Sequence, residues 1–564
     1  MLHLRPSRGS FVGLPPLFWL LAAGAIMQAG WLLLWTVSGA ARVSANVANP
    51  WAEAPGSPWD WAFALITIVG QSFPQLGALP NMNVAGSLGV ALAIVGVGYL
   101  AGIVILDKGV AKLRGAGRIV VGFSVVYQLT LILIPGVFST DVYSYLIYGQ
   151  MAGVHGLNPY VVPPDAMVGN ELLAWIYDDW RSLASPYGPL WTSLSAAIAP
   201  LLYQMDVSDQ VLIHKVLMNL VHLLNLVLLT VLLKRGLPHV RGGRLTAFAL
   251  FAWNPLLLLE IAGNGHNDAL MLTLLLAGLV PIARLTAASS HQPSSRVAWV
   301  TGMLMLGLSV LVKYATLLVG VFATVIWARE LRDWRARAFW VGGTLLTSSA
   351  IALAVYWPWL AGLQMFGPAF DEINGKFQFH SLPVLIQRLL SEWLPTVTDL
   401  DPDSAAHGAR FWTYALARAL FMLYIGWELK RLWTSRSVRP AVQVVCAVSA
   451  RALLVALLLV LTEVHSWYFT WPLTLVTLLG WRSQLTRLVV GYTLTCLPVD
   501  YIALFDWNAT VPVSVRAALG IGYLGLPLIL PAMTYVRAPL FRVDMAQSRP
   551  SWRFGRIRRA ALTA

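Results

Sequence analysis

The residues best suited to chemistry lie in one short stretch, Ser139 to Tyr160, which reads STDVYSYLIYGQMAGVHGLNPY. It follows an apolar run, Ile119 to Phe138, long enough to cross a bilayer at about 20 residues per span. Asp141 therefore falls where a membrane helix meets water. Behind it come Tyr143, Tyr145, Tyr148 and Tyr160 and a Gly-Leu-Asn-Pro turn. A carboxylate at such an edge, backed by aromatics, can take the proton of a sugar hydroxyl. Asp is also a favoured helix cap. Taken alone, the position reads equally well as a polar helix end.

Further clusters punctuate other apolar runs. His266-Asn267-Asp268 opens one of them. Asn and Asp serve as caps too, but a histidine adds nothing to a cap and titrates near neutral pH. Lys313-Tyr314 interrupts the run Trp299 to Trp327 with no acid nearby in sequence. It reads as an anion contact, with snorkelling to the headgroups as the alternative. Asp371, Glu372, Lys376 and His380 form another group. Glu463 and His465 precede Trp467, Tyr468 and Trp471. A membrane-interface aromatic belt accounts for those aromatics, so the acid and the histidine are the informative part. Arg418 and Arg451 fall near mid-span, facing a cavity or marking span limits a few residues off.

The elements that must position these residues are membrane helices. Of 564 residues, 58% are hydrophobic and 11% charged, against roughly 25% charged in soluble domains. The net charge of +14 sits in short clusters between apolar runs. That is the pattern of cytoplasmic loops facing anionic headgroups, not of a nucleic-acid binder. Cys446 and Cys496 both lie inside apolar runs, which offers neither a disulfide framework nor a zinc site. The apolar stretch Phe11 to Trp35 exceeds a signal-peptide core of about 7–15 residues and reads as a first span.

Lys and Arg then set the topology. Spans near residues 13–38, 84–106 and 119–138 bring Asp141 outside, with 62–73 an interfacial or re-entrant piece. Tyr187 to Tyr203 sets the side of every later loop. If it spans, the basic group Lys234, Arg235, Arg241 and Arg244 lands outside; if it lies along the interface, that group lands inside. Pro186, Pro189 and its short length favour the interface, making residues 139–210 one external element. A second covers 361–410, and the basic stretch 537–564 becomes a cytoplasmic tail. The count reaches about fourteen spans. Asp141, His266 to Asp268, Lys313, Lys376 with His380, and Glu463 to Tyr468 then all face outward. Ionisable residues near membrane depth are functional candidates, and a one-sided set suits an active site better than a carrier, whose sites lie at the midplane.

This set suits glycosyl transfer. Asp141 takes the proton of the attacking hydroxyl, a lysine or histidine holds a departing lipid phosphate, and aromatics pack on sugar faces. No Gly-rich phosphate loop is present for a nucleotide sugar. The rival readings are a lipid or lipid-linked-sugar transporter or flippase, and an envelope-assembly scaffold.

Across most of the chain, STDVYSYLIYGQ with GLNPY, SPYGPLW (Ser185 to Trp191), NGHNDALM, LVKY and HSWYFTW occur in order. Together they resemble the GT-C glycosyltransferases that use polyprenyl-phosphate sugars, and most of all the actinobacterial α(1→6)-mannosyltransferases. The resemblance implies an all-α polytopic bundle, residues 1–536, with interfacial helices in its external loops. It implies Asp141 as general base and inversion at the anomeric carbon. It implies a polar motif at His266, Asn267 and Asp268 and Lys313 at the donor phosphate; the residues themselves extend the expected substrate-binding set to Tyr143, Tyr187, Tyr314, Lys376, His380, Glu463, His465, Trp467 and Tyr468. The implied partners are a polyprenyl-phosphate sugar donor, a glycan or glycolipid acceptor and membrane lipids. No cofactor and no metal ligand is expected, with a divalent cation left open. Ser466 stands where the pattern has proline.

Overall fold

The structure, a computed structural model, describes residues 15–40, 81–134, 138–236, 243–283, 285, 293–331, 333–367, 381–434, 441–503 and 527–528. Residues 62–73, Lys376, His380 and the tail 537–564 lie outside them. Among the described residues there is no strand, only one isolated bridge between Ala361 and Leu363.

Helices α1 (Pro16–Ala40), α2 (Asn81–Asp107) and α3 (Ala116–Ile132) form one wall. Short α4 (Asp141–Gly153) and α5 (Pro189–Leu202) come next, then α6 (Val207–Val231). Helix α7 (Arg244–Ala252) and the half-helix Pro255–Gly263 meet at a 48° bend. The bend falls at Asn254-Pro255, where the asparagine side chain accepts from Leu257 N and proline starts the new segment. Beyond it lie α8 (Asp268–Ile282), α9 (Pro293–Val310), α10 (Leu317–Glu330) and α11 (Trp334–Tyr356). The chain closes with α12 (Leu382–Val397), α13 (Pro402–Thr434), α14 (Ala441–Leu459), α15 (Thr470–Thr477) and α16 (Gln484–Ala503). The boundary expected at residue 410 lies within α13, which runs unbroken through it.

Buried aromatics tie the wall together and to the bent helix. Trp253 Nε1 donates to Val120 O at 2.9 Å, Tyr99 Oη to Leu250 O at 2.9 Å, and Tyr127 Oη to Gly24 O at 2.9 Å. Each ring buries a large apolar body while its polar tip is satisfied by a backbone carbonyl.

The chain is integral to a membrane. Among the described residues, five helices are long and apolar enough to cross one, or six with the bent pair. The expected count of about fourteen is not reached. Within the expected span 245–259 the chain bends at Asn254, while the breaks at Leu311 to Lys313 and at the polar loop before Asp268 fall where the sequence already sets span ends. Other apolar runs form helices too short to span alone, such as Ala116–Ile132 and Asp268–Ile282. Helix α5, with 14 residues, reaches about 21 Å at 1.5 Å per residue, short of the roughly 30 Å hydrocarbon core.

Loops assigned to one side by charge do meet. Arg482 Nε lies 3.1 Å from Asp107 Oδ1, and Arg329 Nη1 donates to Leu432 O at 2.8 Å. Of the polar clusters assigned to the other side, those at Asp141, His266 to Asp268, Lys313 and Glu463 to Tyr468 converge.

Candidate active site

Helix α4 carries Asp141 at its first position, and Val142 to Met151 are all buried. What holds it is α5, which comes close enough to exclude a side chain. A Cβ on Gly149 would stand 2.8 Å from Ser195 O, and one on Gly153 2.0 Å from Ala196 O. Small residues at this spacing let two backbones touch. The loop before α5 docks on the broken α9–α10 connection: Gly188 N donates to Val312 O at 3.1 Å and Leu190 N to Leu311 O at 3.0 Å. A Cβ at Gly188 would lie 2.2 Å from Leu311 O, so only glycine fits. This contact places Lys313 beside the external element.

Asp141 does not cap its helix; no side-chain cap bond is made there. Its Oδ2 accepts from Tyr145 Oη at 3.1 Å, one turn along the same face, and lies 3.6 Å from His266 Nδ1. Its side chain is 22% exposed while that of His266 is fully buried, so Asp141 is the open end of the cluster. Burial pushes the Tyr145 and Tyr187 hydroxyls well above the usual phenol range, and the nearby Asp141 carboxylate adds to the rise. Both stay neutral beside the acid.

The loop between the half-helix and α8 supplies the centre. Gly265 turns it with φ +72°, a conformation that favours glycine. Its carbonyl is 2.9 Å from His214 Nε2 on α6. Asn264 accepts from Phe138 N at 2.9 Å and donates to Glu260 Oε2 at 2.8 Å, tying this loop to the chain just before Asp141. Asp268 makes no cap bond either. Its Oδ2 takes Lys313 Nζ at 2.8 Å and its Oδ1 accepts from Trp471 Nε1. Lys313 sits in extended backbone at the helix break, its side chain 15% exposed. Its Nζ lies 5.5 Å from the Tyr468 ring and 5.6 Å from that of Trp471, within cation–π range.

The segment before α15 closes the site. Trp467 stacks on His266 at 4.5 Å and on His465 at 4.2 Å, and His465 Nε2 lies 2.7 Å from Glu463 Oε1. Asn267 Oδ1 is 3.2 Å from Tyr145 Oη, and the Tyr187 ring meets the Tyr145 ring edge-on at 4.8 Å.

Asp141, Tyr187, His266, Asn267, Asp268, Lys313, Glu463, His465, Trp467 and Tyr468 thus form one assembly. Two of the expected residues stand apart. Tyr143 is fully buried and stacks on Trp175 at 5.9 Å. Tyr314 turns outward to meet Tyr356 Oη at 2.6 Å. Sequence reasoning missed Tyr145, Glu260, His214 and Trp471 as site residues. Tyr145 was legible as the residue four positions after Asp141. Glu260 was legible as a lone acid in LLLLEIAG. Ser466, the departure from the family pattern, donates to Glu260 Oε1 at 2.8 Å, a bond proline cannot make.

Residues 64–329 match the sequence model described as the N-terminal domain of α-(1→6)-mannopyranosyltransferases. The chain is similar to that family. A probable α-(1→6)-mannopyranosyltransferase of Mycolicibacterium smegmatis is 26% identical over 456 residues, 75% of this chain and 76% of the relative. The α-(1→6)-mannopyranosyltransferase A of Mycobacterium tuberculosis is 26% identical over 378 residues, 65% of this chain and 66% of its own. The α-(1→6)-mannopyranosyltransferase B of Corynebacterium glutamicum is 32% identical over 155 residues, 26% of this chain and 24% of its own. No solved structure matches. Asp141, Glu260, His266, Asp268 and Lys313 all fall inside the stretch shared with the α-(1→6)-mannopyranosyltransferase model, while His465 to Trp471 lie beyond it.

Proposed function

We propose that the protein transfers a mannosyl unit from polyprenyl phosphate to a hydroxyl of a glycan or glycolipid, at a site on the outer face of the membrane, with inversion. The observation that carries this reading is the joining of a half-open carboxylate, Asp141, to a lysine, Lys313, through two side chains. Asp141 Oδ2, His266 Nδ1, Asp268 Oδ2 and Lys313 Nζ are spaced in that order at 3.6, 3.9 and 2.8 Å.

Asp141 takes the acceptor's proton as its oxygen attacks the anomeric carbon. Lys313 balances the phosphate as it leaves with the bonding electrons. Its ammonium has three donors, so it can hold Asp268 and a phosphate oxygen together. The tryptophan and tyrosine faces beside it suit a sugar ring. No resident metal is required, since Lys313 supplies the cation. The outward orientation rests on the basic loops, and the pairing of Arg482 with Asp107 and of Arg329 with Leu432 joins loops assigned to the same side.

Purified protein supplied with a panel of polyprenyl-phosphate sugars and an α-mannoside acceptor tests this. Transfer from polyprenyl-phosphomannose is expected, with none from a nucleotide sugar. Movement of a lipid-linked sugar across vesicle membranes without transfer would replace the enzyme by a carrier.

A further inference from the structure

Glu260 is wholly buried at the end of the half-helix Pro255–Gly263. Ser466 Oγ donates to its Oε1 at 2.8 Å, and Asn264 Nδ2 to its Oε2 at 2.8 Å. His266 Nε2 lies 3.2 Å from Oε2, a charge contact without hydrogen-bond geometry. The other nitrogen of the same imidazole, Nδ1, is 3.6 Å from Asp141 Oδ2, 3.9 Å from Asp268 Oδ2 and 3.3 Å from Tyr145 Oη. Each nitrogen of one buried ring thus faces a carboxylate. A neutral imidazole has one N–H and serves one side only. The row Glu260–His266–Asp141 can take one more proton, and Asp141 is its exposed end.

We propose that Glu260 is a positioning residue for transfer, its charge behind Nε2 favouring the ring with Nδ1 toward Asp141 and balancing the imidazolium formed when Asp141 hands on its proton. This rests on Asp141 being the base. The acceptor oxygen bonds the anomeric carbon, and the bond from that carbon to the phosphate oxygen breaks with its electron pair going to the phosphate. The hydroxyl proton goes to Asp141 Oδ2. It then moves to the lone pair on His266 Nδ1, which restores the Asp141 carboxylate. After the product leaves, the proton returns through Asp141, the exposed end, to water. A carboxylate behind one ring nitrogen sets the tautomer of a working histidine.

The groups that face the imidazole come from every packed element. They are Asp141 and Tyr145 from α4, Asp268 from α8 with Lys313 behind it, and Glu260 from the half-helix. His214 of α6 binds Gly265 O, and Trp467 covers the ring with His465 and Glu463 beside it.

Glu260→Gln keeps the shape and removes the charge. Its kcat is expected to fall about 10- to 100-fold, with the donor KM unchanged. The acidic limb of the kcat–pH profile should move to lower pH, because a negative charge beside the proton-holding groups is gone. Glu260→Asp should leave that limb in place. Wild-type kcat with an unmoved limb in Glu260→Gln overturns the proposal. So does a lower kcat with an unmoved limb, which marks a structural role. Should Glu260→Gln fail to fold, His266→Gln, which leaves Glu260 charged, must reproduce the loss of kcat without the shift to lower pH, and wild-type kcat or the same downward shift there overturns the proposal equally. Asp141→Asn is run in parallel. Near-wild-type transfer by it removes the base reading, whereas an inactive Asp141→Asn beside an unaltered Glu260→Gln removes only the role of Glu260.

Discussion

Two buried ionic clusters occupy this protein, and they differ in kind. At the candidate site, Asp141, Glu260 and Asp268 gather around one histidine and one lysine, and Asp141 is partly open. At the other, Glu428 is wholly buried between α13 and α14. Its Oε2 meets Arg431 Nη2 at 2.6 Å, and its Oε1 meets Arg451 Nη2 at 2.8 Å and accepts from Tyr424 Oη at 3.1 Å. Both carboxylate oxygens are occupied by cations, which leaves nothing to accept a proton or a ligand. Burial of charge is common to both. An excess of acceptors with an opening distinguishes the site, and saturation distinguishes the clip. Arg451 reads in the sequence as a cavity residue or a misplaced limit, and it is neither; its partner lies 23 positions earlier on the preceding helix.

The comparison can be broken at either cluster. The largest stability change is expected at the clip. Glu428→Ala strands two arginines and should cost about 3–5 kcal/mol, seen as a lowered unfolding midpoint in detergent. The kcat of the folded fraction should be unchanged; a selective loss of kcat would erase the distinction. At the site, Lys313→Gln should lower kcat/KM for the lipid-phosphate donor about 100-fold, the scale of losing one donor to a developing oxyanion. Lys313→Arg should recover part of it. An unaltered kcat/KM in Lys313→Gln would take the lysine out of the phosphate contact.

Gly188→Ala sharpens the point without touching a charge. It forces the loop off Leu311 and should destabilise by about 1–3 kcal/mol, as overpacking does. Because that contact places Lys313, donor KM should rise with it. A lower midpoint with unchanged KM would uncouple the docking from the site. The smallest effect is expected from EDTA. Removal of divalent cations should leave transfer unchanged, and a loss restored by one added metal would transfer the role of Lys313 to that ion.

Much of the site was legible because polar side chains are costly in apolar runs and few are spent there without function. Asp141, His266, Asp268 and Lys313 stood out for that reason, and they meet. The break at Lys313 was legible as a polar interruption in a run too long for one helix. Tyr143 was placed in the site although helical periodicity sets it on a different face from Asp141. Tyr145 is the residue that touches the carboxylate. Ser466 as the partner of Glu260 and Arg451 as that of Glu428 were not legible, since each contact depends on packing between separate segments. The span count is not confirmed among the described residues, because hydropathy measures composition along the chain, while bends and short helices are decided by what the run packs against.

Single-turnover transfer from polyprenyl-phosphomannose by purified Asp141→Asn, with donor binding measured on the same preparation, tests the central assignment most directly. A base that takes the acceptor's proton predicts retained donor binding and transfer slowed by about 10²–10⁴-fold. Transfer near the wild-type rate with donor bound would contradict it.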